Sequence, residues 1–180
     1  MNNLKEFFKD CLNLPYKSNS QDNPEHENQV EELLVKHDLN YISQPNGIQQ
    51  SPDFRIFHES KVIDLECKSS KQAFPLYNSG LPKPGVIYVF SSKKYDSTTI
   101  YFADDVVTDK KRELYDALNV EYKKILHEFQ CKEGWDDSRG FDFYMRAMYS
   151  QKGGAHKTDY FMHSDRMKCE QHVLDEMGKC

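Results

Sequence analysis

The chain has 180 residues and a formal net charge of −5, from 29 acidic and 24 basic side chains. That length suits one domain with a sizeable core, and eleven Tyr and eleven Phe within a 38% apolar content make aromatics its main material. No apolar run nears the ~20 residues that span a bilayer, and Met1 to Glu6 lacks the charged-then-apolar design of a secretion signal, so a cytoplasmic protein without membrane contact is expected.

In chain order, residues 4 to 12 predict a short helix, with Leu4, Phe7, Phe8 and Leu12 at helical spacing. Residues 15 to 24, rich in Pro, Ser, Asn and Asp, read as a linker. A helix from 25 to 38 follows, its buried stripe expected at Val30, Leu33, Leu34 and His37. Gln44-Pro45-Asn46-Gly47 is a turn. Residues 53 to 58 and 61 to 69 are two strands joined at the polar His58-Glu59-Ser60, a β-hairpin. The second strand sends Ile63, Leu65 and Cys67 to one face and Asp64, Glu66 and Lys68 to the other. Antiparallel pairing brings Asp53, at the start of one strand, close to Glu66 near the end of the other.

Two carboxylates and an ammonium so placed suit holding a divalent cation beside a nucleophilic water. Pro52-Asp53 followed by Glu66-Cys67-Lys68 resembles the PD-(D/E)xK nuclease superfamily, and within it the small type II restriction endonucleases. The resemblance covers roughly residues 25 to 103. It implies a restriction-endonuclease-like α/β (α+β) core, a mixed central sheet of about four or five strands flanked by helices. It also implies Mg²⁺-dependent hydrolysis of double-stranded DNA, one or two ions per site. Asp53, Glu66 and the backbone carbonyl of Cys67 would hold one ion, hard oxygen ligands being what Mg²⁺ prefers. Lys68 would orient or help deprotonate the attacking water. Families of this kind place a further glutamate on the leading helix; Glu27 fits best as a metal and catalytic residue, and Glu31, one turn on, stays open. Asp64 has at most a supporting role. A homodimer and a cognate DNA methyltransferase in the same cell are the implied partners. A structure-specific repair or junction-resolving nuclease is the alternative, and a non-catalytic DNA-binding module a further one.

Residues 69 to 85 hold Pro75, Gly80, Pro82, Pro84 and Gly85 and form a long loop directly after Lys68. Lys71, Gln72, Tyr77, Asn78 and Lys83 on it are candidates for DNA contact. Strands are expected at 86–91 and 98–103. The family core normally has a helix between its last two strands; only Ser91 to Ser97 separates these two, so that helix is absent or displaced into 69–85. A helix from 109 to 129 keeps Leu114, Leu118, Tyr122, Ile125, Leu126 and Phe129 on one face, and a helix of that length could pack against a second subunit. Lys110-Lys111-Arg112 at its start reads as a solvated face, with a phosphate partner the minority view.

The last fifty residues are the least legible. Residues 141 to 149 read as helix or buried strand, 150 to 157 as a basic loop with Lys152, His156 and Lys157 as candidate DNA contacts, and 158 to 177 as a closing helix. Arg139, Arg146 and Arg166 are unranked candidates for guanine or phosphate contacts. The chain then divides as one nuclease domain over 1–180, with an N-terminal helix and linker at 1–24, a catalytic core at 25–108, and a helical part at 109–180 for DNA recognition and dimer contacts. Five scattered cysteines argue for reduced thiols. Cys169 with His172 and His127 with Cys131 have zinc-compatible spacing but lack the paired pattern of a dependable zinc motif.

The negative charge weighs against DNA binding, since affinity comes largely from neutralised phosphates. It is unevenly spread. Residues 1 to 60 carry five basic and ten acidic groups; residues 61 to 94 carry six lysines against Asp64 and Glu66 alone. The motif region is locally basic.

Overall fold

A computed structural model describes residues 3–17, 24–48, 50–78, 80–135, 143, 148–150, 161 and 164–179. Helix α1 (Asn3–Leu12) buries Leu4, Phe7, Phe8 and Cys11. Helix α2 (Pro24–Lys36) begins on a proline, tolerated in a first turn whose amide has no intrahelical partner. The strands are β1 (Asn40–Ser43), β2 (Phe54–His58), β3 (Lys61–Ser70), β4 (Leu76–Tyr77), β5 (Ile87–Ser92) and β6 (Ser97–Phe102). They are followed by α3 (Ala103–Val106), α4 (Asp109–Gln130), β7 (Tyr149–Ser150) and α5 (Asp165–Gly178).

The main sheet has five strands in the order β1-β2-β3-β5-β6. The β2–β3 hairpin pairs His58 with Lys61 and Phe54 with Leu65. The mixed character arises at β3–β5, which run parallel. Parallel neighbours need a long crossover, and residues 71 to 86 supply it without a helix among the described residues. β5 and β6 are antiparallel neighbours joined across residues 93 to 96, so no helix separates them either. Within the crossover, β4 pairs with β7 to form a separate two-stranded ribbon. Strand β1 is an addition to the four expected strands. It is mostly exposed, and only its pairing with β2 defines it.

One sheet face carries Ile56, Leu65, Cys67, Val89 and Ile100 and packs on α1, α2 and α5 through Phe7, Val30, Leu34, Val173 and Met177. Both ends of the chain thus contribute to the core. On the other face, Tyr88, Phe90 and Tyr101 form an aromatic cluster with Tyr77 and Phe161. Toward β1 and β3 that face is open, with Ile42 and Val62 exposed.

Helix α4 departs from expectation in its packing. Of its apolar face, only Leu126 is half-buried; Leu114, Leu118, Tyr122, Ile125 and Phe129 are exposed. The helix docks by a different face. Arg112 is buried and reaches Asp104 (2.8 Å), Asp109 (2.7 Å) and the Pro82 carbonyl (3.3 Å). The Tyr115 ring meets Tyr149, and Asn119 donates to the Tyr149 hydroxyl at 2.6 Å. The cations at the helix start are therefore not equivalent: Arg112 clamps α4 to the crossover, while Lys110 and Lys111 stay exposed.

Candidate metal-dependent active site

Strand β3 alternates as its sequence dictates. Ile63, Leu65 and Cys67 are buried on the core side, and Asp64, Glu66 and Lys68 lie on the other. Continuing the β2–β3 register one rung past Phe54–Leu65 sets Asp53 opposite Glu66. Asp53 itself lies in the turn before β2, after a cis Ser51–Pro52 bond. Its carbonyl accepts from the Gln44 amide at 2.7 Å, and its carboxylate accepts from the Cys67 amide at 2.6 Å. The hairpin and the β1–β2 turn therefore fix this residue together.

Glu66 is 7% exposed. One oxygen, Oε1, accepts from the Lys68 ammonium at 2.5 Å, and the other, Oε2, is buried with no hydrogen-bond partner. Burial and then repulsion from Glu66 push Asp53 up to about 7, against the Cys67 amide and Lys68, which act in the opposite sense. Glu27, on α2, adds to that upward push, as it does for the Cys67 thiol. Helix α2 thus delivers a third carboxylate to the same neighbourhood. Burial pulls Lys68 down, but the Glu66 and Asp53 carboxylates outweigh it and leave its pKa above the ordinary value. Lys68 is accordingly a cation at neutral pH.

The alternatives left open by the sequence separate here. Glu31 accepts from the Tyr41 hydroxyl at 2.9 Å, a tie between α2 and β1. Asp64 is held by Arg55 in a two-pronged pair at 2.6 and 2.8 Å across the hairpin. Asp53, Glu66, Lys68 and Glu27 form the cluster, and the Cys67 backbone joins it through its amide.

Lys71, Gln72 and Asn78 on the crossover are exposed. Lys83 is exposed too; its ammonium donates to the Ser51 carbonyl at 3.3 Å, beside the Pro52-Asp53 turn. Tyr77 is buried, with its hydroxyl 2.8 Å from that of Tyr101, and belongs to the aromatic core instead of a contact surface. Lys152, His156 and Lys157, with Arg139 and Arg146, lie outside the described residues. Arg166 is half-buried, 3.6 Å from Glu170 and over the Phe161 ring.

Two supporting residues escaped the sequence reading. His26 is fully buried on α2, its Nε2 3.1 Å from the Val89 carbonyl of β5. Gln29 is buried one turn on, and its amide reaches Pro15 at 3.4 Å. A signal existed for His26: spacing of four before Val30 and eight before Leu34 puts it on the same stripe. Arg55 was likewise findable, because a register with His58 against Lys61 sets Arg55 against Asp64.

Among the described residues, no group of three or more His, Cys, Asp or Glu side chains is placed so that it could hold a metal ion. The Asp53 carboxylate is turned to the Cys67 amide and Glu66 to Lys68. The donor set nonetheless fits a hard cation, because Asp53 and Glu66 face each other beside one ammonium and Glu66 Oε2 has no partner of its own. No family model, curated protein or solved structure matches this chain.

Proposed function

We propose that this chain is a Mg²⁺-dependent endonuclease that hydrolyses phosphodiester bonds of double-stranded DNA, in its specific form a type II restriction enzyme. The observation that carries the reading is the buried Glu66 oxygen without a partner, set opposite an Asp53 whose ionisation the site resists. A buried anionic oxygen left unsatisfied costs on the order of 1–3 kcal/mol or more, and a divalent cation removes that cost. Asp53, Glu66 and the Cys67 carbonyl are the ligands, with Glu27 serving a second ion. Bound Mg²⁺ lowers the pKa of a coordinated water and neutralises charge building on the phosphate.

The chain's own residues have distinct tasks. Asp53, in the turn leading into β2, and Glu66, on β3, define the ion's place. The Cys67 amide orients Asp53, while the Cys67 thiol stays on the core side. Lys68 orients or helps deprotonate the attacking water and stabilises the negative charge of the transition state from a partly dry site. Lys71, Gln72, Asn78 and Lys83 line the crossover that leaves β3 beside the site and are the DNA contacts this reading assigns. Two-fold symmetric DNA calls for a second copy of the chain, and a methyltransferase would protect the host's own sites.

The test is incubation with unmethylated phage DNA, with and without Mg²⁺, beside Glu66→Ala. Discrete fragments from the wild type alone, only with the metal, are expected. Cutting confined to branched or mismatched duplexes would reassign the protein to structure-specific repair. Folded protein that retains DNA without metal and cuts none of these substrates would overturn the nuclease reading.

A further inference from the structure

The rung of the sheet that carries the candidate site is closed on one side and open on the other. Asp53 and Glu66 lie on it, and it continues through Tyr88 of β5 to Tyr101 of β6. Both tyrosines are buried; Tyr77 packs edge-on against Tyr88, and the Lys83 amide donates to the Tyr88 hydroxyl at 3.1 Å. The next rung toward the hairpin turn, on the same face, is Ile42–Arg55–Asp64. There Ile42 is 49% exposed, and Val62, the following same-face residue of β3, is 60% exposed. A phosphate chain that reaches Glu66 therefore meets aromatic side chains toward β5 and open sheet toward β2.

Arg55 is the cation on that open side. Its Nε and Nη2 donate to the two Asp64 oxygens at 2.6 and 2.8 Å, which fixes the orientation of the guanidinium. Nη1 makes no hydrogen bond among the described residues, and the side chain is 31% exposed. Asp64, across from Arg55, is one same-face step from Glu66, roughly 6.7 Å along the strand. We propose that the DNA strand leaves the cut position across the β2–β3 hairpin, and that Arg55, through Nη1, holds the phosphate next to the scissile one. The contact supplies binding and register and takes no part in breaking the bond. Pairing with Asp64 lowers the net charge of the rung but leaves Nη1 as a donor. A guanidinium already held in place loses little freedom on taking a phosphate. This inference rests on the nuclease reading and adds to it the path of the strand.

Two measurements test it together: duplex affinity in Ca²⁺ by fluorescence anisotropy as sodium chloride is raised, and single-turnover cleavage in Mg²⁺. Each phosphate contact contributes about 0.9 to the slope of log affinity against log salt. Arg55→Ala is expected to weaken binding by roughly tenfold or more and to reduce that slope by about one contact. In cleavage its deficit should appear in the protein concentration needed for half the maximal rate, the mark of a contact made equally before and during the reaction. The double variant Arg55→Gln/Asp64→Asn keeps a neutral pair across the hairpin and the net charge of the chain. It should show the same reduced slope, and it decides the matter if Arg55→Ala misfolds. Asp64→Asn alone retains the guanidinium and should retain the full slope. A double variant with wild-type affinity and slope, or one that binds normally and loses only maximal rate, would overturn the contact and leave the nuclease reading standing. A wild type that neither binds nor cuts duplex DNA in either metal removes both.

Discussion

At Glu66, one carboxylate oxygen accepts from Lys68 while the other is buried with no partner, and Asp53 opposite is pushed up to about 7 by burial and by Glu66 itself. Two predictions belong to these side chains. Asp53→Ala and Glu66→Ala should nearly abolish metal-dependent cleavage, and Lys68→Ala should lower it by about a hundredfold or more. Asp64→Asn should stay within a few fold of wild type, because Asp64 is committed to Arg55; single-turnover plasmid cleavage by the four variants separates these outcomes. The second prediction concerns pH. An acid whose folded pKa is raised holds its proton more tightly in the native state, so its contribution is full below the unfolded value and is lost as pH rises through the folded one. For Asp53 that window runs from 3.8 to about 7. In chelator, Asp53→Asn should therefore melt higher than wild type at pH 8 and equally near pH 4. Mg²⁺ should raise the wild-type melting temperature at pH 8 more than that of the variant.

Between elements, α2 packs on the sheet through Val30 and Leu34 and is joined to β5 by His26 on the Val89 carbonyl, one residue before Glu27. Desolvation holds His26 below its usual pKa, so the ring is neutral in the fold and its Nε2–H donates to the carbonyl. Replacing it with Ala removes a buried hydrogen bond and leaves a cavity, a loss on the order of 1–3 kcal/mol. Urea unfolding of His26→Ala should show that loss, and its dependence on Mg²⁺ should be weaker than the wild type's, since α2 carries Glu27. If the metal response is unchanged, His26 serves the core alone. At this scale the hairpin was fully legible: Glu59-Ser60 fixes the turn, and counting back from it pairs Arg55 with Asp64 and sets Asp53 against Glu66. Strand β1 was not legible, because Asn40–Ser43 is short and mostly exposed and has no period-two pattern to show. Tyr77 was misjudged for a related reason. A tyrosine in a proline-rich loop reads as surface until the β4–β7 ribbon and Tyr101 enclose it.

For the molecule as a whole, the net charge of −5 and the carboxylates of the candidate site would make the DNA binding proposed above conditional on cations. Without divalent ions, duplex affinity measured by fluorescence anisotropy should be weak. Ca²⁺, a hard cation that takes carboxylate and carbonyl oxygens, should tighten it by roughly tenfold or more, and Asp53→Ala should remove most of that gain. Equal affinity with and without the ion would place the DNA surface away from the carboxylates.

What the sequence determined by itself is local: the α1 and α2 helices, the β2–β3 hairpin, the alternation that sends Leu65 to the core and Glu66 to the opposite face, and thereby the pairing of Asp53 with Glu66. These follow from periodicity and from a turn too short to allow another register. Tertiary structure alone decided the rest. It gave Glu31 to Tyr41, and it enclosed Tyr77. It turned Arg112 inward as a clamp and, among the described residues, left the apolar stripe of α4 exposed. Hydrophobic spacing states that a face will be covered; which surface covers it depends on contacts between residues far apart in the chain.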